Sequence, residues 1–367
     1  METGCESMKV PLSKPFIGKE EEQLVLQVLR SGSLTRGPIL EEFEREFAKY
    51  VGVKHAIAVS SGTSALHLAL LLHKIGEGDK VITSPFTFIA SANPILYVGA
   101  TPAFADIDPL TYNIDPEKLN EAIDEKTKAV IVVHVFGVPC DMKAVMEICQ
   151  DEKLVLIEDA CEALGTTYDG KKVGSFSTSC FSFYPNKPIT TCEGGMLCIN
   201  DNQKALYALS LRNQGRSTEK WLEHQCIGYN YRMSDVHAAI GLAQLRKIDS
   251  ILSMRKENAE FYTMLLKNLP NVKTPPLVDG RTWFVYVAEF EDRDKVAKEL
   301  NSKGIESKPY FPPVHLQPPY KRLGFKEGDF PICEEVSRRV LALPFYTNMQ
   351  KRDIQYVVDN ILDVYRK

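Results

Sequence analysis

Five short apolar runs, separated by segments with helical patterning, limit the fold of this chain more than any other feature. The runs are rich in β-branched residues and lie at 56–61, 80–85, 101–108, 128–137 and 153–160. Nearly continuous apolar runs of this length suit strands that are buried on both faces of a parallel sheet. Helix-like segments lie between them at 64–76, 116–124 and 141–152, the last opening on Asp141 as a plausible N-cap. The alternation predicts an α/β fold with a mostly parallel sheet covered by helices on both faces.

The pattern changes in the second half of the chain. Residues 229–269 are predicted to form one long amphipathic helical region, with room for a bend. A strand-like run at 283–290, a proline-rich segment at 308–320 and a helical C-terminus follow. We therefore predict a large domain over residues 1–245 and a smaller α+β domain over residues 246–367. The N-terminal segment 1–30 is assigned to the large domain, with packing against the small domain as an open alternative.

Charge and hydropathy exclude several classes of protein. The chain has 44 Lys and Arg against 48 Asp and Glu, so no basic excess favours a nucleic-acid partner. No apolar stretch approaches the ~18 residues that span a bilayer, and the N-terminus lacks the pattern of a signal peptide. Nine cysteines include no C-x-x-C pair, which argues against zinc sites and disulfides. We predict a cytoplasmic protein with no metal site and no membrane or nucleic-acid partner.

The segment VSSGTSALHLAL at 59–70 predicts a strand, a turn of small residues and a helix. The free N–H groups and the dipole at a helix N-terminus suit a phosphate, and Gly62 lets the backbone approach a ligand closely. The alternative is an ordinary helix cap, because Ser and Gly are common before helices.

A predicted buried strand ends in two acids, in the segment VLIEDACEALG at 155–165. An unpaired carboxylate in a low-dielectric site is costly, so these acids need partners. Ligands of open α/β sheets bind at the carboxyl ends of the strands, where the acids lie. Because successive strand residues face opposite ways, Glu158 and Asp159 cannot both point at one ligand. The alternative role is that of a helix N-cap.

The segment FSFYPNK at 181–187 adds a lysine. Strand alternation puts Phe181 and Phe183 on one side and Ser182 on the other, where its hydroxyl can reach a phosphate. Lys187 follows in a turn. A phosphate cradle, a buried carboxylate and a positioned amine are together what pyridoxal phosphate requires: a phosphate site, a partner for the pyridine nitrogen and an amine for a Schiff base. The joint occurrence of the three features predicts this cofactor.

These motifs resemble those of the DegT/DnrJ/EryC1/StrS family of sugar aminotransferases, pyridoxal phosphate enzymes of fold type I. The resemblance covers nearly the whole chain, from SGSLTRGPILEEFEREFAKYVGVKHAIAVSSGTSALHLAL through IEDACEALG, FSFYPNKPITTCEGGM and GYNYRMSDVHAAIGLAQL to YFPPVHLQPPY. It implies an aspartate aminotransferase-like large domain.

The resemblance also implies roles for matching residues. Lys187 would form the Schiff base and shuttle the proton of transamination, and Asp159 would pair with the pyridine nitrogen. Phe88 would stack on the cofactor ring, for which core packing is the alternative on the residues alone. Glu162 would lie on the hydroxyl side of the ring.

Further matches concern the phosphate, the partner subunit and the substrate. The phosphate-binding positions of the family fall on Gly62, Thr63, Ser64 and Ser182. Asn230 matches an asparagine that reaches the cofactor phosphate of the neighbouring subunit, which implies a homodimer with shared active sites; surface exposure or a helix cap is the alternative. His315 falls in a segment that the family places near the sugar, and a structural role is the alternative.

Two positions depart from the family pattern. Cys192 stands where glycine is frequent, and Gln214 stands where histidine is common. Neither touches the Schiff base chemistry, but both bear on which sugar is accepted. Relatives with histidine in place of the lysine are sugar dehydratases, and Lys187 argues against that activity here.

The predicted function is transamination of a nucleotide-diphosphate-linked keto sugar, with pyridoxal phosphate as cofactor and glutamate or glutamine as amino donor, in the biosynthesis of surface polysaccharides or glycoconjugates. The alternatives are a keto-cyclitol substrate in antibiotic assembly, a lyase reaction on a deoxysugar, and a non-catalytic regulator that keeps the fold. The residues leave open the nucleotide, the sugar and the carbon that is aminated.

Overall fold

The chain is described here by a computed structural model over residues 9–217, 220 and 222–366. The helices are α1 (Lys19–Ser31), α2 (Pro38–Val51), α3 (Gly62–Leu72), α4 (Asn93–Tyr97), α5 (Pro116–Ala122), α6 (Met142–Asp151), α7 (Asn202–Leu211), α8 (Asp235–Leu245), α9 (Ile248–Leu266), α10 (Arg293–Ser302), α11 (Pro318–Lys321), α12 (Pro331–Arg339) and α13 (Lys351–Arg366). The strands are β1 (His55–Val59), β2 (Lys80–Thr83), β3 (Thr101–Phe104), β4 (Thr127–Val133), β5 (Val155–Asp159), β6 (Thr167–Tyr168), β7 (Lys171–Lys172), β8 (Thr178–Ser182), β9 (Gly195–Ile199), β10 (Val272–Lys273), β11 (Tyr286–Phe290) and β12 (Val340–Leu343).

The main sheet has seven strands in the order β1-β9-β8-β5-β4-β2-β3. Strands β3, β2, β4, β5 and β8 pair in parallel, whereas β9 pairs antiparallel with both β8 and β1. Each of the five predicted apolar runs overlaps one of the strands β1 to β5. The predicted mostly parallel α/β fold is confirmed.

Helices cover both faces of this sheet, and side chains alternate between them. On one face, Ile157 and Cys180 pack in a core with α3 and α7. On the other face, Phe181 packs in a core with α2 and α8, and its ring lies 5.1 Å from that of Phe47. Ser182 therefore faces the α3 side, as the alternation of FSF predicts.

Two details of the predicted elements are settled by the backbone. Asp141 is the N-cap of α6, and its carboxylate accepts the amide of Ala144 at 3.2 Å. The region 229–269 is not one helix but two, because α8 ends at Leu245 and α9 begins at Ile248. The residues before α8 are extended and form a strand-like stretch.

A second, antiparallel sheet of β10, β11 and β12 lies in the C-terminal part of the chain. Its core is shared with α9, α10 and α13, and includes Tyr262 stacked on Tyr286 at 4.7 Å. Val10 forms a bridge with Ile305 of this part, so the N-terminal chain reaches it. The domain boundary after residue 245 stays a prediction.

The N-terminal segment 1–30 contacts both parts of the chain, and its assignment to a domain stays a prediction. Helix α1 packs on α8, which belongs to the predicted large domain, and not on the C-terminal sheet. Only the extended stretch before α1 reaches the small sheet's core, through Val10. Residues 1–8 of this segment lie outside the described residues.

Candidate active site

A cavity of about 590 Å³ opens at the carboxyl ends of the parallel strands, within the size range of small-molecule sites. Seven of the predicted site residues line it: Gly62, Thr63, Phe88, Asp159, Glu162, Ser182 and Lys187. The C-terminal part of the chain supplies a wall, with Phe284 and residues 309–312. The cavity therefore joins segments that are distant in sequence, as expected for a switch point of an α/β sheet.

The two acids at the end of β5 face opposite sides. Asp159 lines the cavity, and its Oδ2 accepts the hydroxyl of Ser91 at 2.7 Å while Oδ1 accepts the amide of Cys161 at 3.1 Å. Glu158 points away from the cavity and accepts the amides of Gly174 at 2.6 Å and Ser177 at 2.7 Å. Only Asp159 is therefore available to a ligand.

Lys187 lies in a turn after β8, where its amide donates to the carbonyl of Tyr184 at 2.9 Å. Its Nζ lies 3.9 Å from the centroid of the Phe284 ring, a cation–π distance. Among the described residues, no carboxylate forms an ion pair with this amine. The amine therefore projects into the cavity without a competing charge partner.

Glu162 is buried beside Lys187. Its Oε2 accepts the amide of Phe136 at 2.9 Å. Burial raises the pKa of Glu162 to about 7, against the opposing effects of the Lys187 charge and the Phe136 amide. A carboxyl group with such a pKa can hold or release a proton near neutral pH.

The N-terminus of α3 forms one end of the cavity. Gly62 is required there, because a Cβ at this position would lie 2.8 Å from Cys161 Sγ and 3.0 Å from the Ser182 Cβ. Thr63 and Ser182 line the cavity at the same end. Backbone N–H groups, two hydroxyls and the helix dipole make this end suitable for an anion.

Ser64 has a different position from the one that sequence reasoning implied. Its amide donates to Ser61 Oγ at 3.0 Å, and its hydroxyl donates to the Ser61 carbonyl at 2.7 Å. The Ser61 amide donates in turn to Ser64 Oγ at 2.9 Å, which completes the capping box of α3, so Ser64 is turned into the cap and does not line the cavity. The cap alternative thus describes Ser64, and a phosphate-binding role for Gly62, Thr63 and Ser182 stays a prediction.

Phe88 is not part of the core. Its side chain is 60% exposed and lines the cavity. Large exposed aromatic side chains next to a cavity mark surfaces that contact a ligand or a partner. The position favours the predicted stacking role over the core alternative.

His315 does not line the cavity, in contrast to its predicted place near the sugar. The side chain is completely buried, and its Nε2 lies 3.0 Å from Glu334 Oε1. The amide of Val314 donates to the carbonyl of Pro85 at 2.9 Å, which fixes the same loop. His315 is thus behind the wall formed by residues 309–312, where the structural alternative applies.

Asn230 is exposed and does not line the cavity of its own chain. It belongs to the extended stretch before α8, where it pairs with Asn213. This exposure is compatible with the predicted contact to a partner subunit, which stays a prediction.

A family model, the DegT/DnrJ/EryC1/StrS aminotransferase family, matches residues 15–362. The chain belongs to this family. It is therefore an aminotransferase, and the predicted family and activity are confirmed. Among the described residues, no helix is long and apolar enough to cross a membrane.

Three similar proteins illustrate the family. The spore coat polysaccharide biosynthesis protein SpsC of Bacillus subtilis is 41% identical, covering 97% of this chain and 97% of its own. GDP-perosamine synthase of Caulobacter vibrioides is 41% identical, covering 95% and 96%. The structure of Spr1654 from Streptococcus pneumoniae in its PLP form has a TM-score of 0.93 and 28% identity, covering 98% and 99%.

Pyridoxal phosphate is the cofactor of this aminotransferase, and two structural observations show that the cavity fits it. The absence of a side chain at Gly62 lets the start of α3 pack closely against Ser182 at the end of the cavity that suits an anion. Asn186 Oδ1, in the residue next to Lys187, is buried without a hydrogen-bond partner in the cavity wall, as expected where a polar ligand binds. Lys187, Asp159 and the α3 N-terminus are then the groups that would hold it.

Sequence reasoning missed several residues of this site. Ser91, which donates to Asp159, had no local signal because it lies 68 residues away in the chain. The wall residues Phe284 and Tyr310 come from the C-terminal part and had none either. Asn186 could have been found, because it is a polar residue adjacent to the lysine in a turn.

Proposed function

We propose that this aminotransferase transfers an amino group from glutamate or glutamine to a keto sugar linked to a nucleoside diphosphate, for the biosynthesis of surface polysaccharides or glycoconjugates. The similarity to GDP-perosamine synthase over 95% of the chain carries the proposal. The similarity to SpsC supports the connection with polysaccharides. The site supports amine chemistry, since Lys187 and Asp159 line one cavity.

Different residues of the chain have different roles in transamination. When bound, pyridoxal phosphate carries the amino group between donor and acceptor and takes up the electrons of the bond that breaks. Lys187 Nζ would hold the cofactor, and its free amine would move the proton at the substrate carbon. Asp159, oriented by Ser91, stabilises a protonated pyridine nitrogen.

The surrounding residues orient and shield this chemistry. The α3 N-terminus with Thr63 and Ser182 binds the phosphate. Phe88 covers the ring from the exposed side. Glu162, with its pKa of about 7, exchanges a proton near the Lys187 amine. Because donor and sugar use one cavity of about 590 Å³, they react in turn, and the keto acid leaves before the sugar enters.

The test is the reaction of purified protein with pyridoxal phosphate, ¹⁵N-glutamate and a panel of nucleoside-diphosphate-linked keto sugars. We expect one of them to become an amino sugar carrying ¹⁵N, detected by mass spectrometry. Lys187→Ala should lower turnover by roughly 10²- to 10⁴-fold or more, whereas Lys171→Ala, a change at an exposed lysine, should not. The proposal fails if only a keto-cyclitol is aminated, if no substrate is, or if Lys187→Ala retains full turnover.

We further propose a homodimer in which Asn230 completes the site of the partner subunit, because this asparagine is exposed on its own chain. Mixing inactive Lys187→Ala chains with Asn230→Ala chains tests it. In a shared site, half of the mixed dimers' sites combine an intact lysine with an intact asparagine, so activity returns after mixing above that of either variant. No gain after subunit exchange would contradict the shared site.

A further inference from the structure

Three arginines that are distant in sequence come together next to the cavity. Backbone bridges join Thr35 to Ser234, Val59 to Arg232 and Asn213 to Asn230. They bring together Arg36, Arg216 and Arg232, which are called the arginine patch below. Burial and then the charges of Arg216 and Arg36 lower the pKa of Arg232, so the three guanidinium groups repel one another. A like-charged group of this kind is costly unless an anion binds to it.

Carboxylates do not neutralise the arginine patch. Among the described residues, no ion pair joins any of its members to an acid, whereas Arg212 pairs with Glu44 and Arg246 with Glu42. Asp235, which follows Arg232 in the chain, is buried. Its carboxylate accepts the amides of Gly37 at 2.7 Å and Leu40 at 3.3 Å. As far as the described residues show, the positive charge of the patch is therefore available to an external partner.

Neutral groups hold Arg232 of the patch in place. Arg232 Nη1 donates to Asn213 Oδ1 at 2.9 Å and to Gln214 Oε1 at 3.0 Å. Arg216 Nε is buried and has no hydrogen-bond partner. Guanidinium groups that are fixed in orientation and keep free donors suit phosphate oxygens. Gln214, which departs from the family pattern, thus acts as a positioning residue for Arg232.

The patch lies beside the anion-binding end of the cavity. The amide of Ser60 donates to the carbonyl of Tyr231 at 2.9 Å, and the next residues, Ser61 and Gly62, line the cavity. The Tyr231 ring packs on the buried His67, so strand alternation turns Arg232 to the opposite, exposed side. That side also carries Asn230.

We propose that Arg36, Arg216 and Arg232 bind the diphosphate of the nucleotide sugar, an inference that rests on the proposed function. A diphosphate supplies several acceptor oxygens and a compact negative charge, which matches three converging guanidinium groups. The chain as a whole is acidic, with a net charge of −4, so the attraction is local to this patch. The sugar then reaches the cavity while its nucleoside diphosphate stays attached to it and outside the reacting centre.

Calorimetric titration of the holoenzyme with inorganic pyrophosphate tests the patch, because the cofactor already fills its own phosphate site. The same titration with GDP, UDP and dTDP finds the nucleotide. We expect Arg216→Gln and Arg232→Gln each to weaken pyrophosphate binding by ~10-fold or more, and Gln214→Ala to weaken it less. Arg352→Gln, a change at an exposed arginine on α13, is the matched control and should bind as the unmodified protein does.

Kinetics separates binding from chemistry. The Arg216→Gln and Arg232→Gln variants should raise KM for the nucleotide sugar by a similar factor, leave kcat at saturation nearly unchanged, and leave the half reaction with glutamate intact. An intact half reaction also shows that the variants are folded. If pyrophosphate affinity and KM are unchanged in both variants, the arginine patch does not bind the diphosphate, and the proposed function still stands. Weakened pyrophosphate binding without turnover of any keto sugar overturns the proposed function and keeps the patch as an anion site.

Discussion

Two neighbouring carboxylates, Glu158 and Asp159, divide β5 into a structural side and a chemical side. Glu158 is fully buried and accepts hydrogen bonds from Gly174, Phe176, Ser177 and His134. Among the described residues, Asp159 accepts bonds from Ser91 and from the amide of Cys161, and it lines the cavity. Burial alone therefore does not identify a functional acid, since Glu158, the more deeply buried of the two, holds a loop together. What separates them is whether the chain itself satisfies the carboxylate.

The largest effect is expected on the structural side. Glu158→Ala leaves several buried N–H groups without an acceptor, so we expect the free energy of unfolding to fall by about 3–5 kcal/mol. Urea denaturation measures the loss. Glu152→Ala, at an exposed position after α6, serves as control and should change stability by less than about 0.5 kcal/mol. A small effect of Glu158→Ala on the free energy of unfolding would contradict the structural role of Glu158.

A large effect on activity is expected on the chemical side. Asp159→Asn removes the negative charge next to the cofactor while keeping the side chain's size, so we expect kcat to fall by roughly 10²- to 10³-fold. Stability should change by no more than about 1 kcal/mol, since few bonds within the chain depend on the charge. Steady-state kinetics and denaturation of the same sample test both parts. A stability loss equal to that of Glu158→Ala would show that Asp159 has a structural role as well.

Glu162 adds a third acid to the comparison of Glu158 with Asp159, because it is both buried and on the cavity side. Burial raises its folded-state pKa from the ordinary 4.5 to about 7. The folded chain thus binds more protons between these values, so stability falls as pH rises from about 4.5 through about 7 and levels off above. Urea denaturation of the cofactor-free chain from pH 5 to pH 8 measures this slope. Glu162→Gln should flatten the slope, and an equal slope in the variant would assign it to another group.

The smallest effect concerns the backbone next to the cavity. Cys192 is exposed and has a φ of 68°, in the left-handed region where glycine is favoured. Cys192→Gly should therefore raise the free energy of unfolding by about 0.5–1 kcal/mol, after the larger chain entropy of glycine in the unfolded state is included. The midpoint of thermal unfolding measures the gain. A drop in kcat in this variant would show that the cysteine side chain serves the site.

Local patterns were sufficient for much of the fold and for the centre of the site. The five apolar runs predicted β1 to β5, and the small-residue turn predicted the start of α3. Lys187 and Asp159 were found because a lysine in a proline turn and an acid at a strand end are unusual in themselves, and the family resemblance then assigned their roles. The break between α8 and α9 was missed, because the amphipathic pattern continues across it.

Local sequence patterns did not predict the positions of side chains that are held by residues distant in the chain. His315 was predicted near the sugar, yet Glu334, 19 residues later, holds it in the core. Ser64 was predicted at the phosphate, yet the cap of α3 takes up its hydroxyl. The arginine patch depends on three bridges between separate segments, so no single stretch of sequence carries its signal.

The sequence by itself determined most of the elements and the cofactor, and it predicted the reacting lysine, because strand alternation, helix caps and side-chain chemistry act within a few residues. Only the tertiary structure decided which carboxylate serves the chain and which serves a ligand, and which arginines share one surface. The reason is physical: the free energy of a buried polar group depends on its nearest partners in space, and packing, not the chain's local pattern, selects those partners.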